Sequence, residues 1–116
     1  SSGGRQMPQH YGKRAINIVA QSSPTGTQYL QAVGTAIAVR QAGSHGLVYV
    51  SSGEGTTSQG EFHEALNWAS REKLPVLFHI EDNGYAISVP KASQMSEGSV
   101  YDMVGGYLNL QRYETD

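Results

Sequence analysis

Two short apolar runs, each followed by glycine and acidic residues, dominate the hydrophobic pattern of this chain. Residues 47–50 (LVYV) and 76–80 (VLFHI) are continuous rather than alternating, which is typical of strands covered on both faces. Residues 58–71 lie between them and repeat apolar side chains at helical spacing. One helix that crosses between two parallel strands brings the carboxyl ends of both strands to the same sheet edge.

The predicted central helix has an apolar face and a start signal. Its apolar positions are Phe62, Ala65, Leu66 and Ala69. Ser58 and Glu61 have the S-x-x-E spacing of a capping box, which predicts a helix that begins at Ser58.

The flanking segments extend this alternation of strand and helix. Residues 27–42 predict a helix that ends at Gly43, with a short strand over 16–20 before it. Further along, the pattern predicts an extended segment over 85–89, a weak helix over 99–108 and a third parallel strand over 110–113. Together these elements predict an α/β fold with an open parallel sheet and helices on both faces.

Composition narrows the class of protein. With 116 residues and 38% hydrophobic residues the chain forms at most one domain, which we expect over 15–116 after a polar loop or linker over 1–14. A net charge of -2 without a basic stripe gives no reason to expect nucleic acid or a membrane surface as a partner. The absence of cysteine excludes disulfides and thiolate metal sites.

Candidate chemistry lies directly after the two apolar runs. Gly53-Glu54-Gly55 follows the first run and Asp82-Asn83-Gly84-Tyr85 follows the second. Alone, the first motif is an ordinary glycine turn and the second an N-G turn. Together they place carboxylate and amide oxygens beside a glycine turn and a helix start. This arrangement suits a magnesium ion bound to a diphosphate.

The histidines carry weaker hypotheses. His79 lies inside an apolar strand and is interpreted as a core histidine. His63 lacks the second histidine of a zinc helix, because position 67 is Asn67, and a solvated helix face is the favoured interpretation. His10 lies on a loop, where it can contact a ligand or a partner.

Three segments resemble a known family. Residues 53–90 (GEGTTSQGEFHEALNWASREKLPVLFHIEDNGYAISVP) are similar to the thiamine diphosphate motif in the alpha part of 2-oxo acid dehydrogenases, the decarboxylating components of pyruvate and branched-chain complexes. GRQMPQHYG and SSPTGTQYLQAVGTA also match, in the same order. The resemblance runs from about Gly4 to Asp116, and the branched-chain and broad bacterial branch fits best.

The resemblance implies a thiamine diphosphate-binding fold, here incomplete, and roles for matching residues. The magnesium ligands would be Glu54, Asn83 and the backbone carbonyl of Tyr85. The diphosphate would be lined by Gly53, Gly55 and Thr56. The turn that meets the aminopyrimidine would contain Ser23 and Thr25. A potassium loop seen in branched-chain members would contain Ser22, Pro24, Thr27 and Gln28. No catalytic residue is implied in this chain.

Four positions depart from the family pattern. Glu54 replaces the commoner aspartate, and Asp82 replaces the first asparagine of the usual pair. Thr25 replaces a larger aliphatic residue, and Glu81 stands where branched-chain members often place a diphosphate-binding arginine. The last difference weakens a specifically branched-chain assignment.

The implied activity is decarboxylation of a 2-oxo acid with transfer of the acyl group to lipoyl. The cofactors would be thiamine diphosphate and Mg²⁺, with K⁺ in branched-chain members. The partners would be the beta part, which carries the glutamate that activates the aminopyrimidine, and a lipoyl-bearing acyltransferase, in an oligomer located in bacterial cytoplasm or the mitochondrial matrix. Because family alpha parts are much longer, we expect a central slice that is inactive alone.

Two alternatives remain open. The chain could be a non-catalytic truncated module that only binds a partner subunit, which Glu81 and Thr25 favour slightly. It could also belong to a related acetoin-cleaving thiamine enzyme, since such enzymes share every motif found here.

Overall fold

A parallel β-α-β unit forms the centre of the molecule. The computed structural model describes residue 3, residues 10–96 and residues 98–115. Strand β1 (Val48–Gly53) pairs in parallel with β2 (Val76–Glu81), so that Val48 lies opposite Val76 and Gly53 opposite Glu81. Helix α2 (Gly60–Glu72) connects the two strands, and helix α1 (Thr27–Gln41) precedes them. The predicted α/β fold with a parallel sheet is therefore present.

Short elements complete the described chain. Three 3-10 helices cover Arg14–Ile16, Glu54–Ser58 and Lys91–Ser93. Strands β3 (Tyr85–Ala86) and β4 (Val89–Pro90) form a small antiparallel hairpin, and helix α3 covers Val100–Met103. No helix among the described residues is long and apolar enough to cross a bilayer.

Both long helices pack against one face of the sheet. Tyr29 of α1 and Phe62 of α2 are buried, with ring centroids 5.0 Å apart, and both rings contact Phe78 of β2. Val50 of β1 lies opposite Phe78 and belongs to the same cluster. The four apolar positions predicted for α2 are all buried, which confirms its amphipathic pattern.

The opposite face of the sheet is open in the described chain, so the predicted helices are present on one face and not on both. Tyr49 is 58% exposed and Leu77 is 49% exposed. His79 also lies on this face, where a hydrogen bond of 2.6 Å joins its Nδ1 to the Tyr49 hydroxyl. The interpretation of His79 as a core histidine was wrong, because side chains alternate between the two faces of a strand and only one face is covered here.

The predicted capping box of α2 is absent. Ser58 ends the 3-10 helix that follows β1, and α2 begins only at Gly60, after Gln59, with no side-chain cap. The prediction failed because the chain leaves β1 through an extra helical turn, which shifts the start of α2. Gly43 does adopt the left-handed conformation expected after α1, with φ of +69°.

Four peripheral predictions were wrong or only partly correct. Residues 16–20 form no strand, since Arg14–Ile16 is a 3-10 helix and only an isolated bridge joins Lys13 to Ile18. Residues 110–113 form no third strand, and the helix predicted over 99–108 is reduced to α3. The segment 85–89 folds back as β3 and β4. The segments 16–20 and 110–113 do not pair with a neighbouring strand of the parallel sheet.

The predicted polar loop over residues 1–14 lies mostly outside the described residues, as does most of the GRQMPQHYG segment. The division into 1–14 and 15–116 therefore stays a prediction.

Candidate magnesium and diphosphate site

The carboxyl edge of the parallel strands brings the two predicted motifs together. Glu54 is the first residue after β1, and Asn83 lies just after the end of β2. The backbone N–H of Asn83 donates a hydrogen bond to Oε2 of Glu54, at 3.4 Å. This contact places the acidic motif against the asparagine turn, as the strand-end argument predicts.

Glu54 presents one unpaired carboxylate oxygen. Its side chain is 2% exposed, and Oε1 has no hydrogen-bond partner among the described protein atoms. A buried carboxylate oxygen without a partner is costly, so it calls for a cation or a donor at this point. A hard cation such as Mg²⁺ fits an oxygen ligand of this kind.

The backbone behind Glu54 is held by a residue that sequence reasoning missed. The hydroxyl of Thr57, which is fully buried, donates a hydrogen bond of 2.6 Å to the Glu54 carbonyl. This bond closes the 3-10 turn that carries Glu54. The sequence signal for this bond was weak: Thr57 lies three residues after Glu54, and a hydroxyl can donate to a nearby carbonyl in a tight turn.

The 82–85 turn is built from two side-chain-to-backbone hydrogen bonds. Oδ1 of Asp82 accepts from Gly84 N–H at 3.0 Å, and Oδ1 of Asn83 accepts from Tyr85 N–H at 2.9 Å. Gly84 has φ of +83°, which glycine adopts readily. An amide oxygen has two lone pairs, so Asn83 can accept this bond and still offer an oxygen to a cation.

The described residues contain no cluster of three or more histidine, cysteine or acidic side chains that could hold a metal. The predicted magnesium set does not require one, because it combines a single carboxylate with an amide oxygen and a backbone carbonyl. The donor types present therefore fit a magnesium ion that takes its remaining ligands from phosphate and water.

Packing against the β3–β4 hairpin is a second reason, besides access to phosphate, for a glycine at position 55. A Cβ added at Gly55 would lie 3.2 Å from Ala86 Cα and closer still to Ala86 Cβ, whereas one at Gly53 would meet nothing nearer than 3.8 Å. Gly55 is thus required by the packing of the β3–β4 hairpin. Thr56 is half-buried beside it. Diphosphate binding by Gly53, Gly55 and Thr56 stays a prediction.

The loop before α1 lies next to this glycine loop. Gly26 is buried and has φ of +96°, and a Cβ added there would come within 3.0 Å of Gln59 Cβ and 4.0 Å of Thr56 Cγ2. Ser23 and Thr25 precede it and are exposed. The structure therefore brings the predicted aminopyrimidine turn beside the diphosphate loop, although it does not test either role.

Two side chains of the predicted potassium loop form hydrogen bonds to its backbone. The Thr27 hydroxyl donates to the Pro24 carbonyl at 2.9 Å, and Oε1 of Gln28 accepts from Gly26 N–H at 3.1 Å. Ser22 is exposed. Potassium binding by Ser22, Pro24, Thr27 and Gln28 stays a prediction.

His10 contacts this loop. Its Nδ1–H donates to the Gln21 carbonyl at 3.1 Å, which fixes the tautomer because a carbonyl can only accept. In the neutral ring Nε2 is then an acceptor, 3.4 Å from the Ser23 hydroxyl. The hypothesis that His10 contacts a ligand or partner is untested, but His10 lies against a predicted cofactor residue.

A lysine that the sequence did not single out lies beside the 82–85 turn. Nζ of Lys91 is 2.6 Å from Oδ2 of Asp82, and the Lys91 backbone N–H donates to the Gly84 carbonyl at 2.9 Å. The hydrogen bond to Asp82 raises the pKa of Lys91.

Comparison with known proteins identifies the family of the chain. The dehydrogenase E1 component family matches residues 1–109 of the chain. The chain belongs to this family. It is 47% identical over 107 residues to the 2-oxoisovalerate dehydrogenase subunit alpha of Bacillus subtilis (strain 168), and 41% identical over 104 residues to the mitochondrial 2-oxoisovalerate dehydrogenase subunit alpha of Bos taurus.

The chain spans less than a third of the length of each of these relatives. The alignments cover 92% and 90% of the chain but 32% of the Bacillus subtilis protein and 23% of the Bos taurus protein. The family expected from the motifs is confirmed at this level. The relatives are bacterial and mitochondrial, in agreement with the two compartments that we expected.

Proposed function

We propose that this chain is the part of a branched-chain 2-oxo acid dehydrogenase alpha subunit that binds magnesium and the diphosphate of thiamine diphosphate. The observation that carries the proposal is the buried Glu54, whose Oε1 has no protein partner and whose Oε2 contacts the Asn83 turn. The names of the relatives, which are 2-oxoisovalerate dehydrogenase alpha subunits, support the same reaction class.

In this proposal the chain binds and orients the cofactor. Glu54 and Asn83 would give side-chain oxygens to the magnesium ion, and Tyr85 its backbone carbonyl. The loop of Gly53, Gly55 and Thr56 would meet the diphosphate, since backbone N–H groups at the start of a helical segment favour anions. Thiamine diphosphate, when bound, supplies the electron sink for decarboxylation of the 2-oxo acid.

The loop before α1 completes the proposed contribution of this chain. Ser23 and Thr25 would meet the aminopyrimidine, and the oxygens of Pro24, Thr27 and Gln28 would hold potassium together with Ser22. The beta part would supply the proton-transfer residues, and a lipoyl-bearing acyltransferase would accept the acyl group. We therefore propose that the chain alone has no decarboxylase activity, and decarboxylation by the isolated chain would contradict this.

The test is a calorimetric titration of thiamine diphosphate onto the chain, with and without Mg²⁺, alone and after addition of a beta part. We expect binding that requires Mg²⁺ and is lost in both Glu54→Gln and Asn83→Ala. Asn67→Ala is the matched control, because Asn67 is an exposed residue on α2. Unchanged magnesium-dependent binding in both site variants would refute the assignment.

The same titration distinguishes the proposed function from the rival one, a module that binds a partner subunit but no cofactor. A chain that binds the beta part but never binds cofactor would be a non-catalytic module. Magnesium-dependent binding that appears only with the beta part would instead mean that the site is completed at the subunit junction.

A further inference from the structure

We infer that Asp82 and Lys91 are positioning residues for the magnesium turn: their ion pair closes the segment from 82 to 91 and holds Asn83 and Tyr85 against Glu54. This inference rests on the proposed function of the same site. It concerns two residues to which neither the motifs nor the relatives' names assign a role.

The Asp82 carboxylate connects the two ends of this segment. Oδ1 accepts from Gly84 N–H inside the turn, at 3.0 Å, while Oδ2 accepts from Lys91 Nζ after the hairpin, at 2.6 Å. The Lys91 backbone adds a third link through the Gly84 carbonyl. One side chain thus couples the conformation of the turn to the position of the residue that follows the hairpin.

The closed segment is also packed against the Glu54 loop. Ala86 of β3 approaches Gly55 so closely that a side chain at position 55 would collide with it. Because Gly55 follows Glu54 directly, any displacement of the hairpin changes the distance between the Glu54 carboxylate and Asn83. The ion pair therefore acts on the proposed magnesium ligands without touching the ion.

The Asp82–Lys91 ion pair is partly buried, so it can stabilise the turn. The side chains of Lys91 and Asp82 are 27% and 32% exposed, which is less than for the two other ion pairs of the described residues, both centred on Glu72. Partial burial reduces screening by water and salt. The turn is also acidic, since Glu81 precedes Asp82 in the chain and Glu54 accepts from the Asn83 N–H, and Lys91 adds a positive charge to it.

Two possible roles of Lys91, holding the turn and adding positive charge near the ion, predict opposite changes in Mg²⁺ affinity when the lysine is replaced. If the lysine only adds positive charge near the ion, Lys91→Met removes a repulsion and Mg²⁺ binds more tightly. If the ion pair holds the turn, the same substitution weakens Mg²⁺ binding. We expect the dissociation constant of Mg²⁺ to rise by about two- to fivefold, the range of a partly exposed ion pair.

The experiment measures the affinity for Mg²⁺ at saturating thiamine diphosphate. It uses the chain alone or the chain with the beta part, whichever binds both Mg²⁺ and thiamine diphosphate in the titration above. Lys91→Met, Asp82→Asn and the double variant are compared with Lys13→Met, an exposed lysine that precedes the Arg14–Ile16 3-10 helix. We expect the double variant to be no weaker than either single variant. Lys91→Arg should restore most of the affinity, and the difference from wild type should shrink at 1 M salt.

Hydrogen–deuterium exchange of the magnesium-free protein gives a readout that does not depend on cofactor. Faster exchange at the Gly84 and Lys91 amides in Lys91→Met is expected, with unchanged exchange in α2. Tighter or unaltered Mg²⁺ binding by Lys91→Met would overturn the inference while leaving the proposed function intact. Absence of magnesium-dependent binding in the wild-type protein would instead overturn the proposed function, and unchanged exchange at both amides would overturn the inference separately.

Discussion

Substitution of Gly55 by alanine tests whether hairpin packing, rather than phosphate access, requires a glycine at this position. A Cβ at Gly55 would lie 3.2 Å from Ala86 Cα and closer still to Ala86 Cβ, and 3.5 Å from Gln94 Oε1. A methyl group cannot rotate away, and its main obstacle is the rigid Ala86, so the backbone must shift. Overpacking of this kind costs about 1–3 kcal/mol, or roughly 4–12 °C in melting temperature for a domain of this size.

The assay is urea and thermal unfolding of Gly55→Ala beside a matched control, Gly60→Ala. A Cβ at Gly60 would meet nothing within 4 Å, and Gly60 begins helix α2. The control should therefore be neutral or slightly stabilising, by up to about 1 kcal/mol.

A rescue variant makes the reasoning about Gly55 sharper. Ala86→Gly in the Gly55→Ala background removes the Cβ–Cβ collision and should recover more than half of the lost free energy of unfolding. A Gly55→Ala protein as stable as wild type, or a loss that Ala86→Gly does not reduce, would refute the packing argument.

Three further predictions concern single side chains. Glu54→Gln should raise the free energy of unfolding in chelator by about 1 kcal/mol, because it removes a buried charge whose Oε1 is unpaired, as urea denaturation would show. Burial raises the pKa of Tyr29, which its hydrogen bond to Ser52 lowers only in part. Stability present below about pH 10 should then be lost as pH rises through the folded pKa, and the fall in melting temperature should be smaller in Tyr29→Phe. Ser99→Ala should lower stability by about 1 kcal/mol because Ser99 caps α3, whereas Ser58→Ala should change it by less than about 0.5 kcal/mol in the same unfolding assay.

The β-α-β unit could be predicted because its signals are local and agree with each other. The runs at 47–50 and 76–80 are continuous, and the four apolar positions of α2 repeat at helical spacing. Two such strands joined by one helix have a single favoured arrangement, a right-handed parallel crossover. The contact between Asn83 N–H and Glu54 Oε2 follows from that topology.

The supporting contacts of the site could not be predicted, because each joins residues with no shared pattern. Nothing in the sequence pairs Lys91 with Asp82, or Ala86 with Gly55, since both contacts depend on how the hairpin of β3 and β4 folds back. The capping box at Ser58 failed for a related reason. The local spacing was correct, but the chain spends five residues in a 3-10 helix after β1, so the helix starts later.

Both faces of the sheet carry apolar side chains although only one face is covered, which explains why the sequence predicted strands buried on both faces. Val50 and Phe78 face the helices, whereas Tyr49 and Leu77 face outward and are about half exposed. The apolar runs are continuous because both kinds of position are apolar, and that pattern is what a doubly covered strand requires. Leaving the second face open withholds roughly 25 cal/mol for each Å² of apolar surface. We therefore expect the chain by itself to be only marginally stable. The proposed magnesium ligands lie at the end of the sheet, so they depend on β1 and β2 staying paired, and a cover on the open face would steady the site without touching it.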